Sequence, residues 1–233
     1  MRLEQQPVYV LHLRAYRETS LLLECLSRDR GRLGVVARGV RGARARVSRA
    51  QLEPFQALRC DLLLRGELAT LLAAEGDGPV RRLAGTAGLA GLYLNELTVR
   101  FTRRQDPHPA LFAAYARTLG RLAAGEAPDW TLRRFERDLL QATGYALRLD
   151  STAEGAPLEP EGWYVYQVER GPVRCPPEHA YALRGVDLAA LAADREPAPA
   201  ARLPLRAMMR EVIRHHLGGE PRTWQWLARL PRR

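Results

Sequence analysis

The sequence predicts an α+β protein: an N-terminal five-stranded β-barrel, then a helical bundle that carries a small β-hairpin. Three observations predict it. Residues 7–75 break into short apolar runs separated by turn signals, the pattern of strands. From residue 86 the apolar spacing changes to three and four, the pattern of helices. Apolar residues make up 46% of the 233, enough for a sizeable core.

The strands come in order. "VYVLHLRAY" (Val8–Tyr16) alternates, and "SLLLECLS" (Ser20–Ser27) is a short apolar run closed by the turn "RDRGR". "LGVVAR" (Leu33–Arg38) follows. "FQALRCDLLLR" (Phe55–Arg65) and "ELATLLAAE" (Glu67–Glu75) meet at Gly66, a tight turn. Ser48 is placed to cap a short helix, "RAQLE", that stops before Pro54. Five strands with a helix between the third and fourth is the order of an OB-fold barrel, and the expected domain is 1–80. Such barrels commonly bind oligonucleotides on the strand 2–3 face and the loops beside it.

The helical domain is expected over 81–233. "TAGLAGLYLNELTVRFTRR" (Thr86–Arg104) puts Leu89, Leu92, Tyr93, Glu96, Leu97 and Arg100 on one stripe. "ALFAAYARTLGRLAAG" (Ala110–Gly125) is a second helix, and "APDWTLRRFERDLLQATGYAL" a third with Asp129 as N-cap. Three helices with short loops form a bundle core. The insertion at about 150–180 holds "GWYVYQVERGPVRC" (Gly162–Cys175), read as two strands around a Gly-Pro turn. "GVDLAALAAD" is a short helix. "LPLRAMMREVIRHHLGG" is the last, with Leu205, Met208, Met209, Val212, Ile213 and His216 on one stripe and Gly218 as its stop.

Charge points to the partner. The net charge is +10, and all 36 basic residues are Arg. An excess of that size favours a polyanion: nucleic acid first, an anionic membrane second. Without Lys there is no P-loop and no Schiff-base chemistry. H-E-x-x-H and G-x-S-x-G are also absent, so these common catalytic motifs are not visible. No apolar run reaches the length of a bilayer, and the charged N-terminus does not read as a secretory signal; the expected location is the cytoplasm. Cys25, Cys60 and Cys175 are scattered and odd in number, which argues against a disulfide framework. Cys25 and Cys60 fall inside strand runs and read as core thiols.

Between Arg28 and Arg49 stand eight Arg (Arg28, Arg30, Arg32, Arg38, Arg41, Arg44, Arg46, Arg49) against one acid, Asp29. A solvated loop is one reading. A cradle for phosphates is the other, because packed like charges destabilise a fold unless an anion neutralises them, and Arg forks two donors onto one phosphate. Arg14 of the first strand joins this candidate set. Tyr9, Tyr16 and Phe55 are the only aromatics of the barrel segment, too few for a stacking platform. Binding is therefore expected to be led by the backbone. Cys175 and His179 form one close pair where structural zinc needs two, so no metal and no cofactor are expected. In "LRRFERDLL", Arg133 and Arg134 fall in a helix's first turn. They read either as the wet face of an amphipathic helix or as a docking site for an acidic, hydrophobic-ended peptide.

The stretch "RETSLLLECLSRDRGRLGVVARGVR", together with "GLYLNELTVR", "LRRFERDLLQATGY" and "HHLGGEPRTWQWL", resembles the RecO family of bacterial repair and recombination mediators. The resemblance implies an OB-fold, a helical bundle and, in many members, a zinc-ribbon-like insertion. It implies binding of single- and double-stranded DNA, annealing of complementary strands, and loading of RecA with RecR on DNA coated by single-stranded DNA-binding protein. It also implies that Arg133 and Arg134 meet that protein's acidic C-terminal tail, and that Arg38–Arg49 belongs to the DNA-binding part of the barrel. The departure is "RLDSTAEGAPLEPEG", which lacks the paired cysteines of zinc-bearing members. The competing reading is an OB-fold adaptor for RNA or acidic peptides without annealing activity. If about five phosphates are neutralised, a salt titration of single-strand affinity has a log–log slope of about −3.5; a slope near zero rules out the electrostatic mechanism.

Overall fold

The structure is a computed structural model that describes residues 1–40 and 47–228. The first strands are β1 (Arg2–Tyr16), β2 (Ser20–Ser27), β3 (Gly31–Ala37), β4 (Ala57–Arg65) and β5 (Leu68–Gly76). They close into a barrel in the order β1-β2-β3-β5-β4, with β4 returning to β1. Only β3 and β5 run parallel. This is the strand order of an OB-fold. The element before β4 is a single 3₁₀ turn, Arg49–Leu52, rather than a helix. Its start is tied by the Gln51 side-chain oxygen, which accepts from the Ser48 N–H at 2.7 Å. β1 begins earlier than the apolar pattern suggests. Its polar start pairs with β4 through a bulge at Gln5, whose N–H donates to Asp61 at 2.9 Å.

Strand alternation builds the barrel core. Leu21, Leu23 and Cys25 of β2 face Leu33, Val35 and Ala37 of β3. In β1, Val8 and Val10 point inward while Tyr9 points out to the helices. Pairing with β2 then skips one residue: Val10 opposes Cys25, but His12 opposes Glu24. Leu11 is the extra residue of a β-bulge, and beyond it the parity reverses. Leu13 packs on the barrel core, so His12, Arg14 and Tyr16 share the outer face.

The helices are α1 (Gly85–Phe101), α2 (Pro109–Ala123), α3 (Pro128–Ala142), α4 (Gly185–Ala192), α5 (Arg202–Leu217) and α6 (Thr223–Ala228). Tyr9, Leu11 and Leu26 of the barrel enter the same core as Tyr93, Leu97, Tyr115 and Phe135. Asn95 of α1 clamps the bulge: its side-chain N–H donates to the Leu11 carbonyl at 2.8 Å, and the Tyr115 hydroxyl donates to Asn95 Oδ1 at 2.5 Å. The buried bulge carbonyl is thereby satisfied, as buried polar groups must be.

A three-stranded sheet, ordered β7 (Gly171–Arg174), β6 (Trp163–Gln167), β8 (Leu183–Arg184), packs beside α5 on a separate core. Its hairpin turn falls at residues 168–170, with Glu169 at φ 67°; Gly171 and Pro172 open the second strand instead of forming the turn. Three helical expectations also shift. α3 starts at Pro128 with Ala127 as N-cap, and Asp129 lies in its first turn. On α1 the buried stripe is Ala90, Tyr93, Leu94 and Leu97, while Leu92 is exposed, because this helix is apolar on most of its circumference. On α5, His216 leaves the buried stripe and stacks on Tyr145 at 4.3 Å. Gly218 does end α5, in the left-handed conformation at φ 65°.

The connection after α1 crosses the barrel at β3. Gly31, at φ 63°, lets the Asp106 backbone sit against it, and a Cβ there would collide with the Asp106 carbonyl. Gly66 has a similar φ of 69° but open surroundings. Gly31→Ala is therefore expected to cost about 2–4 kcal/mol in denaturant unfolding, clearly more than Gly66→Ala, which bears only the backbone strain.

Candidate nucleic-acid interface

The strand register composes the outer face of β1–β3. Arg14 stands beside Leu22, and Leu22 beside Val36. His12 stands beside Glu24, and Glu24 beside Gly34. Tyr16 stands beside Ser20, and Arg38 follows the end of β3. At this end a cleft of about 910 Å³ opens between the β1–β2 loop and the β4–β5 turn. Its lining includes Tyr16, Arg17, Arg38, Arg65 and Leu72, with Glu18 the one acid. Arg17 lies 5.3 Å above the Tyr16 ring. Arg14, Arg17, Arg38 and Arg65 are exposed, and none makes an ion pair among the described residues. These cations flank the β2–β3 face from β1 and from the strand ends, and the cleft lies between the two loops beside which OB-folds take oligonucleotides.

The other basic residues are divided. Arg28 and Arg30 occupy the β2–β3 turn, at the opposite end of the barrel from Arg38. The separation is roughly 25 Å, at about 3.3 Å per strand residue. Arg28 is paired with Asp29 at 2.9 Å, which lowers the Asp29 pKa. Arg49 lies 3.7 Å from Glu53. Arg41, Arg44 and Arg46 fall outside the described residues. Among the described residues of that segment, Arg28 and Arg30 stand apart from Arg38. Arg32 is a strut between domains: it binds Glu24 at 2.6 Å and donates to the Thr102 carbonyl at 2.9 Å. Glu24 also takes Arg104 at 2.7 Å, and this hydrogen bond strengthens the Arg104 guanidinium as a cation. Arg17 and Arg65 were not singled out by density along the chain. Their signal is position, since each flanks a turn that barrel closure brings to the same rim.

Arg133 and Arg134 are placed differently from the docking expectation. Arg133 is only 5% exposed and pairs at 2.7 Å with Glu136, which is fully buried. The Tyr93 hydroxyl donates to the same carboxylate at 2.7 Å. Burial pushes the Glu136 carboxyl up, and the Arg133 charge opposes that shift. Arg134 stacks 5.1 Å over Trp130 and bridges Glu126 and Asp194. Burial raises the Asp194 pKa, but the Arg121 hydrogen bond and the Arg134, Arg121 and Arg137 charges outweigh it and hold Asp194 low. Neither guanidinium offers a free surface, because α5 and the segment after α4 fold over α3. Other cations nearby are on α5: Arg214 is exposed and pairs with Glu211, and Arg206 and Arg210 are half-buried. Arg206, Arg210 and Arg214, spaced by four, line a groove of about 610 Å³ with Leu203, Tyr181 and Trp224. Arg133 backs this groove through a 3.5 Å contact to the Arg206 carbonyl. Cys25 and Cys60 are buried thiols, and desolvation first, then Asp61, pushes Cys60 up to about 12. Cys175 and His179 gain no third metal-ligating neighbour among the described residues.

The fold and this face define an OB-barrel protein with an appended helical domain and a basic, cleft-bearing outer surface. The model for recombination protein O N terminal matches residues 1–78, and that for recombination protein O C terminal matches 82–225. The chain is 48% identical over 239 aligned positions to DNA repair protein RecO of Stenotrophomonas maltophilia, covering all of both chains. It is 44% identical to DNA repair protein RecO of Ralstonia nicotianae, over 94% of this chain and 82% of the relative. With the DNA repair protein RecO of Xanthomonas oryzae pv. oryzae it shares 42% identity over the full length of both. The chain belongs to the RecO family of DNA repair proteins. Among the described residues no helix is long and apolar enough to cross a membrane.

The buried pair makes a sharp prediction. Glu136→Leu alone strands the Arg133 charge and is expected to cost about 3–5 kcal/mol. Adding Arg133→Met should recover at least half of that loss in urea unfolding, which an exposed docking arginine would not do.

Proposed function

We propose that this protein is a non-enzymatic mediator that binds single- and double-stranded DNA and anneals complementary strands. With RecR it helps load RecA onto strands coated by single-stranded DNA-binding protein. The observation that carries the reading is the run of exposed arginines, Arg14, Arg17, Arg38 and Arg65, unpaired among the described residues, along the outer barrel face and its terminal cleft. Such groups grip phosphates and leave base edges unread, so affinity follows salt more than sequence. Neutralising two strands at once screens their repulsion, and base pairing then proceeds without a nucleotide cofactor. The helical domain tethers the protein to coated strands and raises local concentration.

The acidic tail of single-stranded DNA-binding protein is assigned to the α5 groove. Arg206, Arg210 and Arg214 offer its carboxylates partners, and exposed Leu203 and Tyr181 offer its apolar end a wall. Arg133 supports this groove from inside through the Arg206 carbonyl, and Arg134 is engaged by Glu126 and Asp194. The protein is assigned to the cytoplasm, on the nucleoid when bound to DNA.

In an ATP-free annealing assay with complementary oligonucleotides, the chain should accelerate duplex formation. Arg17→Glu with Arg38→Glu should abolish the acceleration and flatten the single-strand salt slope by about 1.4, at about 0.7 per lost contact. Arg28→Glu should have a smaller effect. Binding without annealing would instead identify an adaptor for RNA or peptides.

A further inference from the structure

The barrel face does not end at Arg14. Next to it, a recess of about 260 Å³ is lined by His12, Arg14, Leu22, Arg32, Val99 and Arg104. A larger groove of about 640 Å³ begins where this recess stops, and the two share His12 and Val99. Its walls include Leu11 of β1, Leu92 of α1 and Trp226 of α6, and the charges along it are mixed, Glu96 and Glu220 against Arg100 and Arg222. The groove therefore continues the outer barrel face across the seam onto the helices.

Trp226 is held in place by its own short helix. Glu96 of α1 accepts from the Arg222 N–H at 2.7 Å, the Thr223 N–H at 2.9 Å and the Thr223 hydroxyl at 2.6 Å. Trp224 is buried, with Arg210 4.7 Å over its ring. Two residues further along an α-helix is the opposite side. Trp226 accordingly points outward and is 46% exposed, beside Leu92 at 39%. A large ring left in water beside a second apolar side chain invites a flat apolar ligand. The ends of the groove say which ligand. Arg14 is unpaired among the described residues, and Arg104 is half-open to solvent with one carboxylate, Glu24, shared between it and Arg32. Cations beside an exposed ring suit a strand whose charge and bases alternate.

Resting on the DNA-binding reading above, we infer that the seam groove is a second section of the single-strand path, where Trp226 stacks a base and Arg14 and Arg104 hold the neighbouring phosphates. The barrel has few rings of its own for this task. Tyr9 is in the core and Phe55 packs against Gly91, which leaves Tyr16. The helical domain supplies what the barrel lacks. Duplex DNA keeps its bases inside and gains nothing from this ring, so the groove favours single strands.

The test uses the full-length chain with an oligothymidylate and a blunt duplex of equal length. Trp226→Ala should lose about 5- to 150-fold in single-strand affinity, the contribution of one stacked base, and leave duplex affinity unchanged. Trp226→Phe should keep most of the affinity. Saturating oligothymidylate should quench tryptophan emission in the native chain and less in Trp226→Phe. Melting temperature checks that each variant is folded. A folded Trp226→Ala with unchanged single-strand affinity overturns the inference, as does an equal loss for duplex and single strand. If Arg17→Glu with Arg38→Glu weakens binding while Trp226→Ala does not, the barrel reading stands and the seam path falls. If the native chain binds neither probe, the DNA-binding reading itself falls, and if it binds but neither variant weakens it, both assigned surfaces fall.

Discussion

The clamp on the β1 bulge governs where the chemistry of this protein points. A strand has period two, so one extra residue sends every later side chain to the other face. Leu11 is that residue, and it delivers Leu13 to the core and Arg14 and Tyr16 to the surface. A bulge leaves a carbonyl unpaired in the ladder, and here that carbonyl lies under a helix. Asn95 and Tyr115 make it tolerable through two buried hydrogen bonds. The helical domain thus decides the orientation of the barrel's basic face.

The same seam is reinforced by charge. Glu24 on β2 gathers Arg32 from β3 and Arg104 from the connection after α1. Gly31 and Gly34 keep β3 bare, so that this connection can lie directly on the strand. Apolar contact continues behind it, where Tyr9 meets Phe112 at 5.2 Å and Tyr115 at 5.0 Å. The barrel keeps a core of its own, and Tyr9, Leu11 and Leu26 on its outside join the core of the helices.

Much of this was legible in the sequence, for physical reasons that also mark the limit. β2 and β3 are largely buried and read as short apolar runs closed by turn residues, so their extent shows. α5 carries its stop signal in Gly218. The bulge leaves a trace in "VYVLHLRAY", where Val10 and Leu11 break the alternation, but only the helix packed against it explains which residue is extra. α6 has six residues and follows Gly and Pro, too short to display a period. Density along the chain drew attention to Arg28–Arg49, yet β3 carries that density from one end of the barrel to the other. Arg17 and Arg65, far apart in sequence, come together only through closure. Arg133 finds its ion-pair partner Glu136 within its own helix, but its burial also depends on contacts outside it: Tyr93 of α1, which donates to Glu136, and the backbone of α5.

The exposed barrel cations are all guanidinium groups. An arginine keeps its proton at any pH a cell reaches, and it offers no amine for acylation. The grip of Arg14, Arg17, Arg38 and Arg65 on an anion is therefore insensitive to acidity and to the enzymes that silence lysine. What remains able to loosen it is competition, from dissolved ions or from another negatively charged surface brought close.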